Sequence, residues 1–269
     1  METIGFIGSG NMAEALISGI LKAGVCQPDK VYASDVRPER LEDLGERYGI
    51  QTTGDNRELA AAVDVLVMSV KPQIMKGALE EIKGALKDRA LVISIAAGIK
   101  ISSISSILGD LAIVRVMPNM GAWVGESASG LYANEKARTR VEEARLIFSS
   151  VGEAIVVEDE ALIDSVTAVS GSGPAYFFLL MQEMIKAGVA LGLAEADSQS
   201  LVLETAKGAA LLAVKASAEG RSPAQLSAQV ATPGGTTEAA LNVFHARSFG
   251  EMVSQALHRA AERSGELSA

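Results

Sequence analysis

Thr236 and Thr237 stand directly after Pro233-Gly234-Gly235 in the stretch QVATPGGTTEAAL (229–241). Hydroxyls and glycines at a helix start leave N–H groups free, and such groups receive a carboxylate. The stretch DSVTAVSGSGPAYFF (164–178) has the same character, with Ser172 two residues before Pro174. Ser172 is expected to cap a helix whose first turn includes Pro174, and Thr236 or Thr237 one running through EAALNVF. Each stretch alone reads equally well as ordinary capping, and the first as a linker. Two in one region favour substrate binding. A third segment, Gly8-Ser9-Gly10-Asn11-Met12-Ala13, fits G-x-G-x-x-A, the dinucleotide fingerprint. Gly8 permits the tight turn, Gly10 lets backbone approach a pyrophosphate, and Ala13 lets helix and strand pack closely. The chemistry these residues suit is hydride transfer from a nicotinamide to a small carboxylate-bearing molecule.

More candidate contacts follow the strand ends. Asp35 lies 22 residues past Ala13, near the position that reads the ribose. A carboxylate there favours the 2′-hydroxyl of NAD, whereas Arg37 favours the 2′-phosphate of NADP. The signals conflict, and Arg37 reads equally well as a solvated helix-start residue. MSVKPQ places Ser69, Val70, Lys71 and Pro72 after one strand, and SIAAGI places Ala96, Ala97 and Gly98 after the next. VMPNMGAWVG adds Pro118 and Asn119. Their plain alternative is strand-end turns, with Pro72 opening a helix, yet small residues at 96–98 suit a flat ring lying on backbone.

Conventional catalysts are scarce. His245 and His258 are the only histidines, and both sit in helix-like segments that suit surface or packing. No cluster has metal-ligand spacing, so no metal is expected. Ketone reduction needs a strong proton donor, commonly His or Lys. An imine already protonated in water needs less, and a hydroxyl or a water suffices.

These groups need a scaffold. Apolar runs at 3–8, 30–34, 64–70, 90–97 and 112–117 alternate with helix-like segments such as 11–24 and 37–49. That rhythm predicts right-handed crossovers and a parallel sheet. Strands at 128–133 and 153–158 flank a helix at 136–152. Beyond about 161 the strands stop and the chain becomes helical. Capping-box spacings begin at Ser222 and Ser248. The expected organisation is a Rossmann-type α/β parallel-sheet domain over 1–163 and an all-helical domain over 164–269.

Composition narrows the partners. Net charge is -9, which disfavours nucleic acid. The most apolar run, 175–193, is interrupted by Gln182, Glu183 and Lys186, so a buried or interface helix is expected rather than a membrane span. The start, METIGFIGSG, lacks a basic region and a cleavage site, and the single cysteine, Cys26, allows no intrachain disulfide. A cytoplasmic protein without a signal peptide is expected.

Taken together, GFIGSGNMAEAL, SVKPQ, ISIAAGI, RVMPNM, DSVTAVSGSGPAYFF and VATPGGTTEAAL resemble the pyrroline-5-carboxylate reductase family over essentially the whole chain. The resemblance implies reduction of 1-pyrroline-5-carboxylate to L-proline, the last step of proline biosynthesis, with NADPH ahead of NADH as cofactor. It implies a homodimer built through the helical domain, with decamers as a further assembly. Position by position, it assigns Gly8, Ser9, Gly10, Asn11 and Met12 to the pyrophosphate, and Ser34 and Asn56 to the adenosine half. Ser69 to Pro72 and Ala96 to Gly98 would line the nicotinamide half. Glu160, Gly234, Gly235, Thr236 and Thr237 would surround the substrate, with Thr237 as hydroxyl donor and Ser172 assisting through its loop. Thr232 replaces a serine that many members carry before Pro-Gly-Gly, and Asp35 stands where some carry a basic or neutral residue. The alternatives are a β-hydroxyacid dehydrogenase and a non-catalytic nucleotide sensor. The former uses a lysine near position 177, where this chain has Phe177, and Lys186 comes too late.

Overall fold

The computed structural model describes residues 3–267. Met1 and Glu2, part of the stretch read above for a signal peptide, and Ser268 and Ala269 lie outside the described residues. The chain divides into two compact units. The first holds residues up to Pro174 and those from Arg259 on, and the second holds Ala175–His258. The expected boundary at 163/164 falls earlier, because the helical run after it still packs on the sheet: a methyl on Gly130 would meet Val166.

In the first unit, β1 (Ile4–Ile7) leads into α1 (Asn11–Lys22), β2 (Val31–Ser34) into α2 (Pro38–Tyr48), and β3 (Gln51–Thr53) into α3 (Asn56–Ala62). Then β4 (Val65–Met68) leads into α4 (Pro72–Glu81) and β5 (Leu91–Ser94) into α5 (Ile101–Leu108). β6 (Ala112–Met117), β7 (Ser127–Ala133), α6 (Val141–Ser149) and β8 (Gly152–Val156) complete the sheet, and α7 (Leu162–Val166) follows. β1, β4 and β5 are buried along their whole length, as strands covered by helices on both faces must be.

The strand order is β3-β2-β1-β4-β5-β6-β7-β8. The first six strands are parallel, and the order reverses between β1 and β4. The sheet is not parallel throughout: β7 runs antiparallel to β6, and β8 pairs parallel with β7. The physical reason is the short link between β6 and β7, a single 3-10 turn at Met120–Val124, which cannot make the crossover a parallel pair needs. β3 escaped the sequence reading because QTT is polar and largely exposed at the sheet edge.

Helices complete the chain: α8 (Gly173–Ala190), α9 (Glu195–Ala218), α10 (Pro223–Val230), α11 (Thr236–Ala246) and α12 (Phe249–Leu267). The capping box at Ser222 forms, with Gln225 answering it. The one expected at Ser248 does not. Ser248 takes φ 53 to turn the chain from α11 into α12, and its hydroxyl makes no capping bond. Ser172 likewise is no cap. Residues Thr167–Gly171 form a π-turn that leads from α7 towards α8, and Ser172 closes it as a bend with right-handed helical dihedrals, its N–H bonded to the Thr167 carbonyl.

Between 175 and 258 only Ser198, Val202 and Ala216 are buried. Phe177, Leu191 and Val214 are exposed by 64%, 86% and 73%. A unit with so little interior of its own presents an interface, which answers the apolar run at 175–193. Among the described residues no helix is long and apolar enough to cross a membrane.

The main core of the first unit joins Phe6, Leu16, Ile17 and Phe148, all fully buried. Phe148→Ala is expected to destabilise this unit by about 3–5 kcal/mol. The check is the urea midpoint of its unfolding transition, and a midpoint at the wild-type value would contradict the packing described.

Candidate functional site

The turn from β1 to α1 lies at the point where the strand order reverses, where open α/β sheets bind ligands. Gly8 has φ +88, and a Cβ there would stand 2.9 Å from the Ser69 carbonyl oxygen, so only glycine fits. Ser69 secures the turn from the neighbouring strand, its hydroxyl donating to the Gly8 carbonyl at 2.6 Å. Gly10 precedes α1 with no side-chain cap, and a Cβ placed on it meets nothing within 4 Å. Ala13 is fully buried against the core. An uncapped helix start beside open space fits a pyrophosphate. Asn11 and Met12 open that helix.

Ser9 faces the other way. It is fully buried, its hydroxyl donates to the Ser34 carbonyl at 3.0 Å, and its N–H donates to Asp35 Oδ2 at 3.0 Å. Asp35 also takes a two-pronged contact from Arg37, whose Nε and Nη2 donate at 2.8 and 2.9 Å. Those bonds hold the Asp35 carboxyl down at about 2, against the upward push of burial and with help from the Ser9 N–H. Asp35 and Arg37, the two residues whose signals conflict in the sequence, bind each other. Ser34 donates to Asn56 Oδ1 at 2.6 Å, and Asn56 donates to Glu81 at 2.8 Å, so both stand as one chain beside the β2 terminus.

Lys71 precedes α4, Pro72 is its first residue, and Val70 lies against Gly8. Across β5, Ala96 is buried, Ala97 exposed and Gly98 buried at φ +73. Asn119 is occupied structurally: its Oδ1 accepts from Gly121 N–H and its Nδ2 donates to the Ser170 carbonyl, both near 3 Å. Glu160 also has a protein partner. Its Oε1 accepts from the Ile101 N–H at 2.8 Å and pairs with Arg115 at 3.2 Å. Arg115, buried on β6, was not singled out from the sequence, since one charge in an apolar strand gives no motif.

The second unit carries the other half. Gly235, not a threonine, is the residue before α11, and no side chain caps that helix. Thr236 and Thr237 are its first two residues. The Gly235 N–H is used by the Thr232 carbonyl at 2.9 Å, and the Gly234 N–H by Glu238 Oε2 at 2.8 Å. Of the four N–H groups read as a carboxylate floor, those of Thr236 and Thr237 remain open. Glu238 was missed, although an acidic residue in a helix's first turn is a recognised start signal. Its carboxylate already sits on one of these amides, which shows that the turn receives such a group. Ser172 is half-buried and its hydroxyl has no partner among the described residues.

Comparison with known proteins agrees with this geometry. Residues 160–267 match the family description "Pyrroline-5-carboxylate reductase dimerisation", and residues 3–98 match "NADP oxidoreductase coenzyme F420-dependent". The pyrroline-5-carboxylate reductase of Pseudomonas aeruginosa is 46% identical over 98% of this chain and 96% of its own. The solved pyrroline-5-carboxylate reductase of Coxiella burnetii superposes with a TM-score of 0.94 at 38% identity, covering 100% of this chain and 99% of that one. The Plasmodium falciparum pyrroline carboxylate reductase, solved with NADP bound, gives 0.86 at 31% identity and covers 100% and 98%. The helical region thus matches a dimerisation domain and the N-terminal region an NADP-oxidoreductase fold, and the chain belongs to the pyrroline-5-carboxylate reductase family.

Proposed function

We propose that this chain is an NAD(P)H-dependent pyrroline-5-carboxylate reductase that converts the ring imine of 1-pyrroline-5-carboxylate to L-proline. The observation that carries the reading is the pair of uncapped helix starts. One opens beside Gly10 at the sheet's switch point, and the other opens at Thr236 on a turn already holding a carboxylate. When bound, the dinucleotide supplies the hydride. Gly8 to Met12 hold its pyrophosphate, Ser34 and Asn56 stand by the adenosine half, and Ser69 to Pro72 with Ala96 to Gly98 line the nicotinamide half. In the second unit, the N–H groups of Thr236 and Thr237 receive the substrate carboxylate, with Gly234 and Gly235 shaping the turn. The Thr237 hydroxyl holds or delivers the proton at the imine nitrogen. Glu160 keeps Oε2 for the substrate, Asn119 and Ser172 support from the strand-end and π-turn segments, and fixed positioning supplies much of the rate.

We assign NADPH ahead of NADH. Asp35 is neutralised by Arg37, so its repulsion of a 2′-phosphate is blunted, and the half-exposed guanidinium stands beside it. The assembly is a homodimer through α8–α12, with decamers as a larger form, in a reducing compartment such as the cytoplasm that suits the one buried cysteine.

Thr237→Ala should lower kcat by roughly tenfold to a thousandfold, the range for oriented donors, while Thr237→Ser retains most activity. Wild-type turnover and substrate KM in the alanine variant would remove Thr237 from this role. Nicotinamide oxidation with each cofactor tests Arg37. Arg37→Ala should raise KM for NADPH on the order of tenfold, the loss of one charge-assisted contact, and leave NADH unaffected. Equal losses with both cofactors would refute the assignment.

The Asp35 contacts also predict a pH signature. A free aspartate titrates near about 3.9, and this one near about 2. The folded state therefore gains stability from it that is complete above roughly pH 4 and is lost as the pH falls through about 2. Relative to Asp35→Asn, the wild-type advantage in urea unfolding should shrink between those limits. An advantage independent of pH would show that the carboxylate is not held this way.

A further inference from the structure

Arg115 lies on β6 in register with Ser94, the last residue of β5 before the 96–98 loop. Its side chain is only 3% exposed, and a guanidinium at such depth must be matched by charge. Two carboxylates do so: Glu160 at 3.2 Å and Asp164 at 3.7 Å. Each carboxylate has a second duty. Glu160 accepts the N–H of Ile101, the first residue of α5, where Lys100 offers no side-chain cap. It thereby closes the far end of the loop. Asp164 Oδ1 accepts the hydroxyl of Ser264 at 2.7 Å, from the last turns of α12.

Ser264 and Leu267 are one helical turn apart and share a face. On that face Leu267 meets the loop itself. A Cβ on Gly98 would stand 2.9 Å from the Leu267 carbonyl oxygen and 3.1 Å from its Cβ. The end of α12 therefore lies on the loop's backbone and is tied, through Asp164 and Arg115, to the carboxylate that caps the loop's exit.

We propose that Ser264 and Leu267, anchored through Asp164 and Arg115, are positioning residues that hold the 96–98 loop in place for the nicotinamide. The proposal rests on the reading of that loop as the nicotinamide site. None of the four touches the reacting atoms. Their action is to remove slack from a loop on which a displacement of about 1 Å can cost on the order of a hundredfold.

The test uses the full chain in its native assembly, with Ser264→Ala and Asp164→Asn, which release the end of α12 that carries Leu267. Three quantities are read: kcat with NADPH, binding of ADP-ribose as a probe of the adenosine and pyrophosphate half, and amide exchange over residues 96–101. In each variant kcat should fall on the order of tenfold, with ADP-ribose binding unchanged and exchange faster over 96–101. Wild-type kcat together with wild-type exchange in Ser264→Ala and Asp164→Asn would overturn the proposal. So would a parallel loss of kcat and ADP-ribose binding, which marks general damage to the fold. A separate arm examines the underlying reading in the wild type. NADPH must slow exchange over 96–101 more than ADP-ribose does. If it does not, the loop is not the nicotinamide site, and this proposal falls with that assignment.

Discussion

Free backbone N–H groups at helix starts are the resource on which both halves of this chain draw. Every α-helix begins with donors that find no partner inside it. Where this protein closes a start, it does so with a side chain: Asp55 on α3, the Ser222 and Gln225 box on α10, Glu160 on α5. The starts of α1 and α11 are left open, and glycine precedes both. Openness alone does not define a site, since α2, α6 and α9 also lack side-chain caps and can be served by water. What separates α1 is its place at the sheet's reversal point. What separates α11 is a carboxylate already resting on its turn.

That economy explains the absence of a conventional acid or base. The strong charges near these turns are spent on holding backbone still. Asp35 and Arg37 cancel each other while Asp35 fixes the Ser9 amide. Arg40 takes the Ser9 carbonyl from the opposite side and pairs with Glu14 on α1. Arg115 is neutralised by Glu160 and Asp164. A reaction whose substrate brings its own electrophilic C=N can be served by such a frame, since orientation lowers the barrier without a strong proton donor.

The sequence carried the parts of this plan that rest on local chemistry. Gly8 must turn, Gly10 must leave space and Ala13 must be small, so the geometry of the β1–α1 turn could be read from spacing alone. The buried strands β1, β4 and β5 announced themselves as apolar runs. The polar edge strand β3 did not, because its stability comes from pairing with β2 and not from its own side chains. The reversal of β7 is set by the length of a connection. The π-turn before Ser172 was invisible for a related reason: its Ser and Gly residues resemble a cap, and only continuous packing on β6 and β7 makes them helical. Long-range partners were the hardest to see. Nothing in sequence joins Arg115 to Asp164, or Asp164 to Ser264 a hundred residues later.

The second unit shows why oligomerisation is not an accessory here. Its helices bury almost nothing among themselves, and α8 and α9 expose phenylalanine, leucine and valine on several sides. Burial of a large apolar side chain contributes roughly 1.5–3 kcal/mol, so these residues hold the greater part of the stability this region can gain. That gain is realised only when another surface covers them. The turn that presents Thr236 and Thr237 sits within this same region, between α10 and α11, and inherits the condition. Substitutions such as Phe177→Asp or Leu211→Asp should therefore act on the Thr236–Thr237 turn through assembly, while the Gly8–Gly10 turn, built into a sheet with its own core, stays intact.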